Sequence, residues 1–345
     1  MALLKTVWQN ALTVTFGVVT LCVGTVGEAI AQTLQGAGAS FPAPLYELYF
    51  QQLKEDTGIT VNYNSVGSGK GIESFIANTV DFAATDALPV EAEIEQMPKG
   101  VVMIPTAGGA VAVVYNLPGV NELKLSQSVL PDIFAGKIKK WNDGRIAKHN
   151  RGVDLPDLPI KTVVRADGSG TTFIFSRHLS AASPIFSREV GASRKPEWPG
   201  EPLEGNKNDG VAVLVKENEG AIGYVQDTFA RQNKLSKAMV ENLQGEFVKP
   251  TLEETNKALS GLRFDRDFIP ANEANPDNGY PIVSVTWLLI KQNYDNSDRV
   301  TAVKKMIGWI LSQGQNLNST LEYTRVPESI APKILDKVEN QVITK

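Results

Sequence analysis

The chain has 345 residues, enough for two lobes with separate cores or for one large domain. Its 34 Lys+Arg against 38 Asp+Glu leave a formal net charge of −4, so no basic field invites nucleic acid, and an anionic ligand needs a local site that overrides the overall charge. The single cysteine, Cys22, excludes a disulfide framework and a cysteine-built metal centre.

Residues 1–31 read as a cleaved signal peptide. Lys5 gives a positive start, Ala11 to Val26 is apolar and uncharged, and Ala29-Ile30-Ala31 offers small residues where a signal peptidase reads them. Cleavage would leave Gln32 first and remove Cys22, whose neighbour Leu21 is large where a lipid-attachment site wants a small residue. The apolar run is shorter than the roughly 20 residues of a spanning helix, and no later segment is apolar enough to replace it.

Strand-like and helix-like patterns then alternate, which argues for an α/β protein. Short strands are expected at Thr60–Asn64, Val101–Ile104, Ala110–Tyr115, Ile160–Val164 and Ala221–Tyr224, with a stronger one at Ile282–Ile290. Helices are expected at Pro42–Glu55, Gly71–Asn78, Thr171–Leu179, Gly210–Lys216 and Thr251–Leu259. Val300, Val303, Ile307 and Ile310 mark another by their spacing. Residues 183–209, rich in proline, glycine and charge, read as a long surface loop, and a similar loop precedes Tyr280.

Three segments lead small polar residues and glycine directly into a helix, whose first N–H groups and partial positive charge suit an anion. In Gly36-Ala37-Gly38-Ala39-Ser40-Phe41-Pro42, Pro42 fits the first helical turn, and Ser40 reads either as a cap or as a ligand contact. In Gly67-Ser68-Gly69-Lys70-Gly71 the glycines allow close backbone approach. A nucleotide P-loop does not fit there, because Asn64 stands where its first glycine belongs and Gly71 replaces the magnesium-holding hydroxyl. In Arg165-Ala166-Asp167-Gly168-Ser169-Gly170-Thr171-Thr172, a strand-to-helix turn supplies a guanidinium, an open N–H and hydroxyls, with Asp167 suited to fix the arginine. A fourth segment, Val80 to Asp86, is an apolar strand ending in a carboxylate that by itself reads as a helix cap.

Five stretches together resemble the phosphate-binding, periplasmic-type receptor of the high-affinity phosphate ABC transporter: GAGASFPAPLY from Gly36, VDFAATDALP from Val80, DIFAGKIKKW from Asp132, RADGSGTT from Arg165 and GAIGYV from Gly220. They stand in that family's order over nearly the whole chain beyond the signal peptide. The resemblance implies a type II-like two-lobed periplasmic binding protein fold, with mixed, mainly parallel sheets flanked by helices. Lobe I would be residues 32–110 with 281–345 and lobe II residues 111–280, with the ligand in the cleft between them. It further implies a monomer that captures inorganic phosphate in the periplasm and delivers it to the membrane permease of an ABC importer, with no cofactor, no metal and no nucleic acid.

Carried residue by residue, the phosphate ligands are Ser40, where a threonine is usual, the Phe41 N–H, Ser68, Asp86, Arg165, Ser169, Gly170 and Thr171, with Asp167 behind Arg165. Lys70 departs from the small residue expected in its loop and is left out of the ligand set. Asp86 would accept a hydrogen bond from a protonated phosphate oxygen, which sulfate cannot offer.

The competing readings are a secreted phosphatase, a receptor for another tetrahedral oxyanion such as sulfate, and a signalling or adhesive surface protein that kept the fold. A phosphatase needs a nucleophile with a base or a metal cluster, yet the chain has only His149 and His178, and Ser169 lacks nucleophile-elbow spacing. Trp141 and Trp287 sit in core-like contexts, Trp198 lies in the long loop, and Lys137-Ile138-Lys139-Lys140 reads as a solvated face.

Overall fold

The apolar strands alternate their side chains between two faces, and both faces are covered. In the computed structural model, described for residues 33–265, 268–271 and 273–345, the principal sheet has nine strands. Its first wing holds β1 (Thr33–Gly38), β2 (Thr60–Ser65) and β3 (Phe82–Thr85), mutually parallel about β1. Phe82 and Ala84 join the main core beneath helix α1 (Ala43–Thr57), whereas Ala83 faces Ile72 and Phe75 of helix α2 (Ser68–Ile76). The second wing repeats the scheme: Val164 and Ile222 belong to the main core, while Val163 and Ala221 pack on Val211, Ala212 and Val215 of the Lys207–Glu217 helix.

Two antiparallel strands join the wings. β4 (Val102–Tyr115) runs for 14 residues and carries two successive partners. Val102 to Ala110 pair with the return strand Val283–Ile290, and Val111 to Tyr115 pair with the strand Ala221–Gln226. That second partner runs parallel to the strand Lys161–Arg165, which pairs in turn with Leu203–Gly205. The sheets are thus mixed, parallel in each wing and antiparallel where the crossing strands meet.

Three expectations are corrected. The separate strands at 101–104 and 110–115 are one: Pro105 sits inside the ladder opposite Trp287, and a bulge in β4 at Thr106, opposite the Thr286–Trp287 step of the return strand, absorbs the irregularity. Residues 183–209 are not simply a surface loop, since they form the helix Pro184–Glu189, the strand Leu203–Gly205 and the start of the Lys207–Glu217 helix. Pro42 precedes the helix as its N-cap position rather than lying in its first turn, so α1 starts at Ala43. The signal peptide expected at 1–31, with Cys22, and the new terminus Gln32 lie outside the described residues. Among the described residues no helix is long and apolar enough to cross a membrane.

Candidate functional site

The strand ends and helix starts singled out by the sequence meet at one buried locus. Ser40 follows β1, Ser68 opens α2, and Asp86 follows β3; all three are almost fully buried. Facing them are Arg165 at the end of its strand and Gly170 and Thr171 at the start of the Gly170–Ala182 helix, likewise buried. Ser169 is that helix's N-cap, its Oγ accepting the Thr172 N–H at 3.0 Å.

The two sides touch directly. The Ser68 Oγ accepts the Gly170 N–H at 3.2 Å and the Asp86 N–H at 3.3 Å, and the Gly69 N–H donates to the Gly168 carbonyl at 2.9 Å. Glycine is required at 170 by proximity: a Cβ there would lie 2.6 Å from the Asp86 Cβ and 2.6 Å from the Ser68 Oγ. Gly67, with φ of 92°, is required by conformation, and a Cβ would also meet Asp167 Oδ2 at 2.2 Å.

Arg165 is held from behind. Its Nε and Nη2 donate to the two Asp167 carboxylate oxygens at 2.8 and 2.5 Å, a planar two-bond fork. The Lys207 N–H donates to the same carboxylate at 3.0 Å. Burial by itself would raise the Asp167 pKa, but the hydrogen bonds and charge of Arg165, with the Lys207 N–H, hold it below the usual carboxylate range. The third guanidinium nitrogen, Nη1, is left facing the Thr171 hydroxyl at 3.5 Å.

Asp86 is a second carboxylate at this locus, and unlike Asp167 it is not forked to Arg165. Its Oδ1 accepts the Thr286 hydroxyl at 2.7 Å, and its Oδ2 lies 3.5 Å from the Ser68 Oγ. Burial pushes its pKa up to about 7, against the lowering influence of Thr286, Arg165 and Ser68. It is not the helix cap that its segment suggests in isolation, because the short helix α3 (Glu91–Ile94) begins after Val90. Phe41 is fixed beside Ser40: its ring is buried, and its carbonyl accepts the Tyr323 hydroxyl at 2.5 Å. Lys70 points to solvent, outside this cluster.

Three contributors were not anticipated. Asn208, fully buried at the start of the Lys207–Glu217 helix, donates through Nδ2 to Ser40 Oγ at 2.9 Å and to Thr171 Oγ1 at 3.3 Å, while its Oδ1 accepts the Gln226 N–H. The signal was there: Gly205-Asn206-Lys207-Asn208 leads into a helix like the three segments already named. Thr286 was detectable as one of two hydroxyls, with Ser284, in a largely apolar strand. Tyr224 stacks on Phe175 with centroids 4.2 Å apart and sets its hydroxyl 2.7 Å from Thr172 and 3.4 Å from the Arg165 N–H.

His178 is buried in the middle of its helix, its Nδ1 3.1 Å from the Ala274 carbonyl, and burial lowers its pKa to about 4. His149 lies against the Phe247 ring. Among the described residues no group of three or more His, Cys, Asp or Glu side chains gathers as a metal would require.

The arrangement is a donor-rich enclosure with one acceptor, suited to a small, partly protonated oxyanion. The family described as PBP superfamily domain matches residues 24–313. The chain is 39% identical over 318 residues to Phosphate-binding protein PstS of Pasteurella multocida, covering 90% of this chain and 91% of that one. It is 36% identical over 321 residues to the protein of the same name from Haemophilus influenzae, with 91% and 95% covered. Among solved structures, the phosphate binding protein from Stenotrophomonas maltophilia superposes with a TM-score of 0.72 at 19% identity, over 89% of this chain and 94% of that one. That likeness identifies the fold as the two-lobed α/β fold of periplasmic binding proteins.

Proposed function

We infer the function of this chain from its family: it belongs to the phosphate-binding proteins that serve as substrate receptors of phosphate ABC transporters. It captures inorganic phosphate and delivers it to an ABC importer. We further propose that it acts in the periplasm as a monomer, handing phosphate to the importer's membrane permease without chemical change.

The observation that carries the reading is Asp86, a buried carboxylate set among the Arg165 guanidinium, the Gly170 backbone and the hydroxyls of Ser40, Ser68 and Thr171. Phosphate near neutral pH keeps at least one proton, and that P–OH donates to Asp86. The remaining oxygens take hydrogen bonds from Arg165 Nη1, the Phe41 and Gly170 N–H groups and the hydroxyls of Ser40, Ser68, Ser169 and Thr171. Asn208, Asp167 and Thr286 hold those groups in position. Sulfate has no proton to give, so it meets Asp86 as charge against charge and is rejected. A phosphatase reading is not favoured, because His178 is engaged with Ala274 inside its helix, and His149 packs on Phe247.

The lobe bounds we propose are 32–110 with 281–345, and 111–280. Support comes from β4, which changes partner between Ala110 and Val111, where the Val111 N–H bonds to the Ile282 carbonyl. The ligand groups then divide between lobes, with Ser40, Ser68 and Asp86 on one and Arg165, Ser169, Gly170 and Thr171 on the other, so binding and closure are one event.

Calorimetric titration of residues 32–345, refolded to strip bound ligand, tests this. Tight one-to-one phosphate binding with weak sulfate binding is expected. A folded sample that ignores phosphate refutes the reading.

A further inference from the structure

Away from the ligand groups, two ion pairs among the described residues join the proposed lobes: Arg231 with Glu322 at 2.6 Å, and Arg194 with Glu93. Glu93 of α3 pairs through Oε1 with Arg194 Nη2, across 101 residues of sequence. Each end is built into a segment that carries ligand groups. Glu93 Oε2 accepts the Val90 N–H at 2.9 Å, which ties it to the turn that follows Asp86. The Arg194 carbonyl accepts the Ser169 N–H at 2.8 Å, directly before Gly170 and Thr171. Ser176 Oγ clamps the Arg194 segment by bonding both the N–H and the carbonyl of Ser193, at 3.1 and 3.2 Å. The two charges are thus positioned before they meet, and they can meet only when the Asp86 side and the Ser169 side approach. Their side chains are 22% and 23% exposed, so the contact is neither a fully solvated surface pair nor a buried one.

We propose that Glu93 and Arg194 are positioning residues for ligand release, forming a latch across the cleft mouth that sets how long the closed, phosphate-loaded state lasts. The proposal rests on the phosphate reading above. Neither residue is assigned a phosphate contact, so the latch acts on opening and not on recognition. The contact also carries its own bias toward release: Arg194 Nη1 is buried with no hydrogen-bond partner among the described residues, and opening would hydrate it.

Stopped-flow measurement of phosphate association and release tests the latch with Arg194→Gln, Arg194→Lys, Glu93→Gln and the Glu93→Gln/Arg194→Gln double variant. Glutamine at 93 keeps an oxygen for the Val90 N–H. Lys140→Gln serves as control, because Lys140 pairs with Asp157 within one proposed lobe. Release should quicken about three- to tenfold in each glutamine variant, with association unchanged. The double variant should be no faster than the singles, Arg194→Lys should regain most of the wild-type lifetime, and the control should match wild type. Wild-type release rates in both glutamine variants, additive effects in the double variant, or slowed association with unchanged release would overturn the latch. If the wild-type protein bound no phosphate, the preceding reading would fail by itself. Solution scattering would then decide the latch: a larger radius of gyration for unliganded Arg194→Gln than for wild type supports it, and equal radii overturn it.

Discussion

Replacing Asp86 by asparagine separates two roles of one carboxylate. Asparagine keeps the shape and keeps an oxygen for Thr286, while the atom beside Ser68 becomes a donor. For the ligand, a P–OH group loses its acceptor while sulfate gains a hydrogen bond, so the preference for phosphate over sulfate should fall by about 100-fold or more. For the fold the sign is opposite. A carboxyl whose pKa rises from 3.8 to about 7 on folding holds its proton more tightly when folded, so its contribution is most favourable below pH 4 and is lost as pH climbs through 7. Carrying the charged form at pH 8 costs about 4 kcal/mol relative to the unfolded chain. A buried amide is itself imperfectly paired, so the expected gain for Asp86→Asn is about 1–3 kcal/mol at pH 8 and about 2–3 kcal/mol less than that at pH 5, where the folded carboxyl already holds its proton. Calorimetry with both anions and thermal melts of stripped protein at the two pH values read both effects. An unchanged anion preference refutes Asp86 as the discriminating acceptor. A variant that melts below wild type at pH 8 refutes the claim that its charge is costly.

Gly170→Ala should abolish tight phosphate binding, lowering affinity about 100-fold or more, because its methyl would meet Asp86 and Ser68 at 2.6 Å; the melting temperature of the stripped protein should barely move. Asn208→Ala should both weaken phosphate binding and destabilise the protein by about 1–3 kcal/mol, since the Gln226 N–H loses its buried acceptor; calorimetry and denaturant unfolding measure the two. Arg165→Lys keeps the charge but loses the fork on Asp167, and affinity should drop about 10- to 100-fold in a titration.

Arg165, Ser68, Gly170 and Thr171 were legible because glycine and hydroxyl residues running into a helix have few purposes. Asp86 was legible only through the family's motif order, since its role depends on Thr286 two hundred residues away, and a carboxylate before Pro89 and Glu91 looks like a cap. Asn208 was hidden by the proline, glycine and charge around it, which suggested a loop where a short parallel strand and a helix start lie. β1 went unread because Thr33–Gly38 holds two glycines and no β-branched residue beyond Thr33; it is a strand because β2 and β3 flank it on both sides. Pro105 and the glycines after it suggest two strands, and only the bulge at Thr106 shows how the ladder continues through β4.

One feature of β4 reaches beyond binding. The same strand supplies Ile104 on one side of the partner change and Val113 on the other, and both lie in a single continuous core. Neither proposed lobe therefore owns a complete set of core residues: cutting the chain near Ala110 or near Ile282 divides a shared interior. A shared interior of this kind ties the proposed lobes together in folding, so the protein is expected to unfold in a single cooperative transition, and either half expressed alone is expected to stay unfolded.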